Sequence, residues 1–176
     1  MTKLKLKKMI VLITICFTGS ATMFAQEIAV EINGVIWATR NVNIPHTFVD
    51  NPEDAGLFYK CDIEHNVCPA GWRMPTHKEF QLLTHATSTW TTENGVNGRR
   101  FTDIETNASI FLPAAGIFNY TDGSVKYVGS SGLYWSSTVN GIGSAVYNLN
   151  FGSGSFTPDN SQNRANGLSV RCVKDY

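Results

Sequence analysis

After its first two dozen residues the chain has no long apolar run, so no later segment reads as a membrane-spanning helix. It has no excess of one charge: 14 Lys and Arg stand against 14 Asp and Glu. The only adjacent basic pair beyond the N-terminus is Arg99-Arg100, which makes the chain a poor match for nucleic acid or anionic lipid. Cysteines are few, at positions 16, 61, 68 and 172, and none form the close pairs of a zinc site. The four histidines, His46, His65, His77 and His85, share no ligand spacing. His77 and His85 lie about two helical turns apart, too far to hold one ion together. "GSSG" (Gly129 to Gly132) lacks the lysine and spacing of a phosphate loop and reads as a turn. Ser136 and Ser137 have no nucleophile elbow around them and read as structural hydroxyls. Asp54, Asp62, Asp122 and Asp159 are scattered carboxylates. No repeat of solenoid period is present. The expectation is a protein that is not an enzyme and carries no metal or cofactor.

The N-terminus does carry a pattern. Lys3, Lys5, Lys7 and Lys8 precede an apolar run from Met9 to about Phe17, and small residues follow up to Ala25. This is the three-part form of a secretory signal peptide, expected to be cut after Ala25. Bulky Ile15 before Cys16 argues against a lipid anchor there. Residues 26–176 would then be the mature domain, with ten basic against fourteen acidic residues, a net of −4. About 150 residues suffice for one core. Export favours a disulfide. Cys61–Cys68 would close a short loop, for roughly 2–3 kcal/mol, and Cys68–Cys172 a long one, for roughly 4–5 kcal/mol. Spacing alone leaves both open.

Along the chain, "EIAVEINGVIWATRNV" reads as strand, Asn33-Gly34 turn, strand. Asn43 to Gly56 reads as loop, and "LFYK" as a short strand. Thr76 is a helix N-cap with Glu79 three residues on, a capping box. Phe80, Leu83 and Ala86 then fall on one helical face, so the main helix is predicted from about Thr76 to Ala86. Ser, Thr, Gly and Asn dominate from there to Arg100. "IFLPAAGIFNY", "VKYVG", "GLYWSST", "AVYNLNF" and "LSVRCVKDY" read as short strands separated by turns such as "TDGS". Short strands with one early helix predict a single α+β domain.

The densest stretch is "CPAGWRMPTHKEF", Cys68 to Phe80. Pro69 and Pro75 stiffen the entry to the helix, Gly71 permits a tight turn, and Trp72 supplies a large buried ring. Every residue has a structural job, so the stretch reads as a fold signature.

"CPAGWRMPT" with "KEFQLL", "LPAAG", "YWSST" and a terminal "LSVRCVKD" resembles the Fibrobacter succinogenes major paralogous domain family. "GVIWATRNV" and "NPEDAGLFY" are also similar to it, and the resemblance runs from about Gly34 to Asp175. It implies a secreted or surface protein with a C-type-lectin-like fold, related to that of formylglycine-generating enzymes. It also implies short twisted antiparallel strands, paired N- and C-terminal strands and a Cys68–Cys172 disulfide, with Cys61 left over. The cysteine pair of those enzymes is lacking, since only Cys172 stands near the C-terminal core. The calcium motifs of sugar-binding lectins are absent, and "TPDN" (Thr157 to Asn160) is a faint echo, so calcium dependence has no support.

Six asparagines lie between Asn140 and Asn166, with Tyr147, Phe151 and Phe156 among them. Tyr, Asn, Ser and Gly are the residues of adaptable binding surfaces, although the same residues also make turns. Some domains like those of this family are diversified by retroelements, and an Asn-rich stretch before "SVRC" resembles such a variable region. The expected contact residues are Tyr147, Asn148, Asn150, Phe156, Asn160 and Asn163, on "AVYNLNF" and a "PDNSQN" loop. The expected function is recognition of a glycan or surface protein, with no nucleic acid and no membrane span after the signal. A structural or tip subunit of a surface assembly is one alternative, and a secreted enzyme with an unrecognised site is another.

Overall fold

The computed structural model describes residues 28–141 and 143–176. The expected signal peptide and Cys16 lie outside them.

Twelve strands form four small antiparallel sheets among the described residues. β1 (Ala29–Ile32) and β2 (Val35–Asn41) form a hairpin on Asn33 and Gly34, both at positive φ, as a two-residue turn requires. β12 (Arg171–Lys174) pairs with β2 on one side and with β3 (Trp72–Arg73) on the other, so the N- and C-terminal strands lie together. β4 (Thr87–Glu93), β5 (Val96–Thr102) and β6 (Ser109–Pro113) make a second sheet. β7 (Ile117–Phe118) and β8 (Val125–Lys126) make a short hairpin. β9 (Gly132–Asn140), β10 (Ala145–Phe151) and β11 (Phe156–Asn163) make the C-terminal sheet, with β10 central.

The α+β expectation with a main early helix is overturned: the described residues are mostly strand. α1 spans only His77–Leu82, followed by a 3₁₀ turn at Leu83–His85. The N-terminus forms as expected. Thr76 Oγ1 accepts from Glu79 N, and the Glu79 carboxylate accepts from Thr76 N. Arg73 holds the same carboxylate through two hydrogen bonds of 2.9 and 2.7 Å. The helix stops early because Thr84 and then Thr87, Thr89, Thr91 and Thr92 are β-branched and favour strand. Asn94-Gly95 turns that run back as a seven-residue hairpin, Thr87 opposite Thr102. "LFYK" forms no strand, and only Tyr59 makes an isolated bridge, to Leu168. The "PDNSQN" loop is instead part of β11. Its proline sits where the register with β10 shifts, on an edge strand, the setting that tolerates proline in a sheet.

The C-terminal sheet divides two apolar clusters. Tyr134, Leu149 and Phe151 face Trp37, Phe80 and Phe101, while Leu133, Trp135 and Val146 face Ala38, Trp72 and Leu168. The second cluster includes the Cys68–Cys172 disulfide, which spans 104 residues. A closure that long constrains the unfolded chain by roughly 4–5 kcal/mol. Cys61 is a buried free thiol, pushed up to about 11 by burial.

The motifs scattered through the sequence meet in a buried polar network. Arg171 is fully buried. Its Nε donates to Asn41 Oδ1 at 2.8 Å and its guanidinium to Ala38 O at 3.2 Å. Asn41 Nδ2 donates to Ala55 O at 2.9 Å and to the Tyr134 hydroxyl at 3.2 Å. Tyr134 donates to Pro113 O at 2.8 Å. Burial pushes the Tyr134 phenol up to about 12 and lowers Arg171 to about 10. "TRNV", "NPEDAG", "LPAAG", "YWSST" and "SVRC" thus each supply one part of the same knot. Gly56 completes it: at φ +70 a Cβ there would collide with Val42 O.

Candidate functional site

The register shifts along β10 place their extra residues in β9 and β11, so the side chains of β10 itself alternate between the two faces of its sheet. Val146, Asn148 and Asn150 share one face, and Tyr147, Leu149 and Phe151 the other. The six expected contact residues are therefore spread over different environments.

Tyr147 faces α1. Its ring stacks on His77 with centroids 3.9 Å apart and planes 1° from parallel. His77 Nε2 lies 2.7 Å from Asp159 Oδ1, and Gln81 Nε2 donates to the same oxygen at 3.1 Å. The His77 contact, then Gln81, holds the Asp159 carboxyl below its usual range. This set latches the helix onto the sheet. Asn148 is fully buried, and its Oδ1 accepts from Asn160 Nδ2 at 3.1 Å, a cross-strand pair. Phe156 packs edge-on against Phe101 at 5.1 Å, beneath the Arg99 guanidinium at 5.5 Å. Asn163 is exposed and accepts from Ala165 N at 2.9 Å, closing a turn.

Asn150 differs from these five. It is half-buried, and its amide makes no hydrogen bond to another described residue. It lines two adjoining hollows of about 250 Å³ each. The first is walled by Ile117, Tyr127, Ser131, Leu133 and Gln162. The second runs along Phe151, Ser155, Phe156 and Thr157. Ser131 and Asn150 belong to both. The Ser131 hydroxyl has no partner among the described residues. Gln162 Oε1 accepts from Asn166 Nδ2 at 3.1 Å, which leaves its NH₂ group open.

Tyr127 was not among the expected residues. It is 62 % exposed and has φ +62, an outlier for a bulky side chain, worth roughly 1–3 kcal/mol of strain. Its backbone is held there. Ser130 N and Ser131 N both donate to Tyr127 O, and a Cβ on Gly116 would strike the 126–128 backbone. Nothing in a sequence marks a tyrosine for the left-handed region, so only the structure finds it.

Two other hollows border carboxylates that are already engaged in internal bonds. One of about 690 Å³ lies beside Asp103. Asp103 accepts from the backbone N–H groups of Asn33, Thr106 and Glu105 at 2.8, 2.8 and 2.9 Å, Asn33 being the strongest influence, and its carboxyl is drawn down to about 2. A groove of about 580 Å³ beside α1 includes Asp159, which His77 and Gln81 already engage. Ser136 Oγ donates to Tyr147 O at 2.8 Å and Ser137 Oγ to Pro75 O at 3.3 Å, both structural bonds. Among the described residues no group of three or more His, Cys, Asp or Glu is placed to hold a metal.

The sequence model of the Fibrobacter succinogenes major domain matches residues 30–174, most of the chain. The chain belongs to the Fibrobacter succinogenes major domain family. No curated protein and no solved structure matches it. The relation of this Fibrobacter-type domain to C-type lectins and formylglycine-generating enzymes therefore rests on the sequence resemblance alone. The family motifs lie mainly in the buried knot and around the disulfide, while the Asn150 hollows are built mostly from residues outside them.

Proposed function

We propose that this Fibrobacter-type domain is an exported, non-enzymatic recognition module that binds a glycan or a protein through the β9–β11 sheet, centred on Asn150. The observation that carries this reading is the cluster of uncharged polar groups with bonding capacity left open: Asn150 and Ser131 line both hollows and Gln162 lines the first. The basic–apolar–small N-terminal pattern and the Cys68–Cys172 disulfide support export, since such bonds persist in oxidising compartments. Among the described residues no helix is long and apolar enough to cross a membrane.

The test is binding of the purified protein to arrayed glycans and arrayed extracellular proteins, with calcium and with chelator. Asn150→Arg, which places a bulky charge between the hollows, is compared alongside. Specific binding that this variant loses while still folded is the expected result. A folded protein that binds neither array overturns the reading.

One observation favours a second reading, a subunit of a surface assembly. Tyr120, Val125, Tyr127 and Val128 are 48–66 % exposed and lie close together in sequence around β8. Apolar exposure of this kind suits a protein contact. A concentration-dependent rise in particle mass, abolished by Val125→Lys with Val128→Lys, would favour it.

A further inference from the structure

We infer that the ligand is a neutral oligosaccharide, and that its primary sugar sits in the hollow between the β7–β8 hairpin and β9–β11, against the ring of Tyr127. This deepens the reading of the Asn150 face as a recognition surface and rests on it.

The chemistry of the walls selects the class. The six lining residues are Ile117, Tyr127, Ser131, Leu133, Asn150 and Gln162, none of them charged. A charged ligand would lose hydration there and meet no counter-charge. Sugar hydroxyls both donate and accept, and side-chain amides and hydroxyls do the same. Asn150 and Ser131 make no side-chain hydrogen bond to other described residues, and Gln162 keeps its NH₂ group open. Apolar groups line the same hollow. Leu133 and Ile117 are buried, and Tyr127 presents a large ring to solvent. A pyranose ring has the matching character, hydroxyls around its edge and C–H bonds on its faces. An aromatic ring with an apolar body and a polar tip suits such a partner.

Size points the same way. Each hollow, at about 250 Å³, falls below the ~300–1,000 Å³ typical of drug-sized ligands, which fits one sugar unit apiece. The two share Ser131 and Asn150, so neighbouring units of one chain can occupy both, the second unit lying along Thr157 and Phe156. The backbone at Tyr127 is pinned by bonds from Ser130 N and Ser131 N, so the ring is carried on a fixed support. Little ordering is left for the ligand to impose.

The experiment uses the purified protein on an array of short neutral oligosaccharides, with sialylated and uronate-bearing ones beside them. The best neutral binder is then titrated against four variants. Tyr127→Gly removes the ring and also relaxes the positive φ, so it keeps the fold. Asn150→Ala removes the shared amide. Tyr127→Trp keeps an aromatic surface, and Asn163→Ala alters the same strand pair away from the hollow. Melting temperature and an intact disulfide certify each variant. The expected result is about a tenfold or greater loss in Tyr127→Gly and Asn150→Ala, and near-unchanged binding in Tyr127→Trp and Asn163→Ala. Preference for the charged sugars overturns the neutral class. Sugar binding untouched by Tyr127→Gly and Asn150→Ala overturns the hollow but leaves a recognition module. Binding only to arrayed proteins, lost in Asn150→Arg, overturns the sugar and leaves the Asn150 face standing.

Discussion

The polar groups around Arg171 and those around Asn150 are treated in opposite ways. Arg171, Asn41 and Tyr134 lie fully buried and bond to one another or to backbone carbonyls, with Arg171 Nη2 left unbonded among the described residues. Asn150, on the sheet that abuts this knot, and Ser131, just before its strand β9, keep their side chains free of internal bonds and border open hollows. Both regions are rich in polar residues, and composition alone does not separate them. Internal satisfaction does: a donor spent on the fold cannot serve a ligand. The motifs that make the family recognisable lie mainly in the spent set, so membership of the family says more about the scaffold than about the ligand.

The comparison breaks first at Arg171. Arg171→Met keeps much of the volume but strands Asn41 Oδ1 and Ala38 O in the interior. Each orphaned acceptor costs about 1–3 kcal/mol, partly offset because no charge need then be desolvated. The expected net loss is about 3 kcal/mol in urea unfolding, with ligand binding at low temperature unchanged. A neutral or stabilising result would mean that the knot selects the fold without adding to its stability.

A smaller effect is expected from Asp103, another fully engaged group. Its carboxyl falls to about 2 in the folded chain, against about 3.9 when unfolded, because Asn33 N–H, then Thr106 and Glu105 N–H, bond the charged form. A depressed carboxyl stabilises above its unfolded value and ceases to as pH falls through the folded one. The stability gap between wild type and Asp103→Asn should therefore be full at pH 6 and shrink between about pH 4 and pH 2. Parallel melting curves at pH 6, 4 and 2 test this, and a gap independent of pH would remove Asp103 as its source.

Much of the scaffold was legible because its signals are local. Thr76 with Glu79, Asn33 with Gly34, and the "TDGS" turn act over a few residues and form as read. The disulfide followed from the family resemblance, not from spacing. The second hairpin carried the same Asn-Gly signal at 94–95, but its strands are built of Thr and Ser and lack a clear apolar alternation. The helix ends earlier than its apolar spacing predicts: Leu83 and Ala86 fit helical spacing, but a 3₁₀ turn also places them inward. The site was the least legible part. Asn148, Asn150, Asn160 and Asn163 look alike in sequence, yet a cross-strand pair takes two and a turn takes one. Which asparagine stays open depends on strand register and on a proline-bearing irregularity in β11, and neither has a local signature.

The smallest expected effect sharpens the comparison most. Asn150→Ala removes an amide with no internal bond at a half-exposed position, so stability should move by no more than about 0.5 kcal/mol. Asn148→Ala, two residues earlier on the same face, deletes a fully buried side chain and its bond to Asn160. Loss of Asn148 Nδ2, unpartnered among the described residues, offsets part of this, and the net cost should be about 1 kcal/mol. The pair is measured by urea unfolding on otherwise identical chains. Equal losses would show that Asn150 is held by the fold after all and would take away its claim to face a ligand. A flat response at Asn150 beside a clear loss at Asn148 identifies the residue that folding does not need, and a polar side chain half sunk between two hollows then has its use outside the fold.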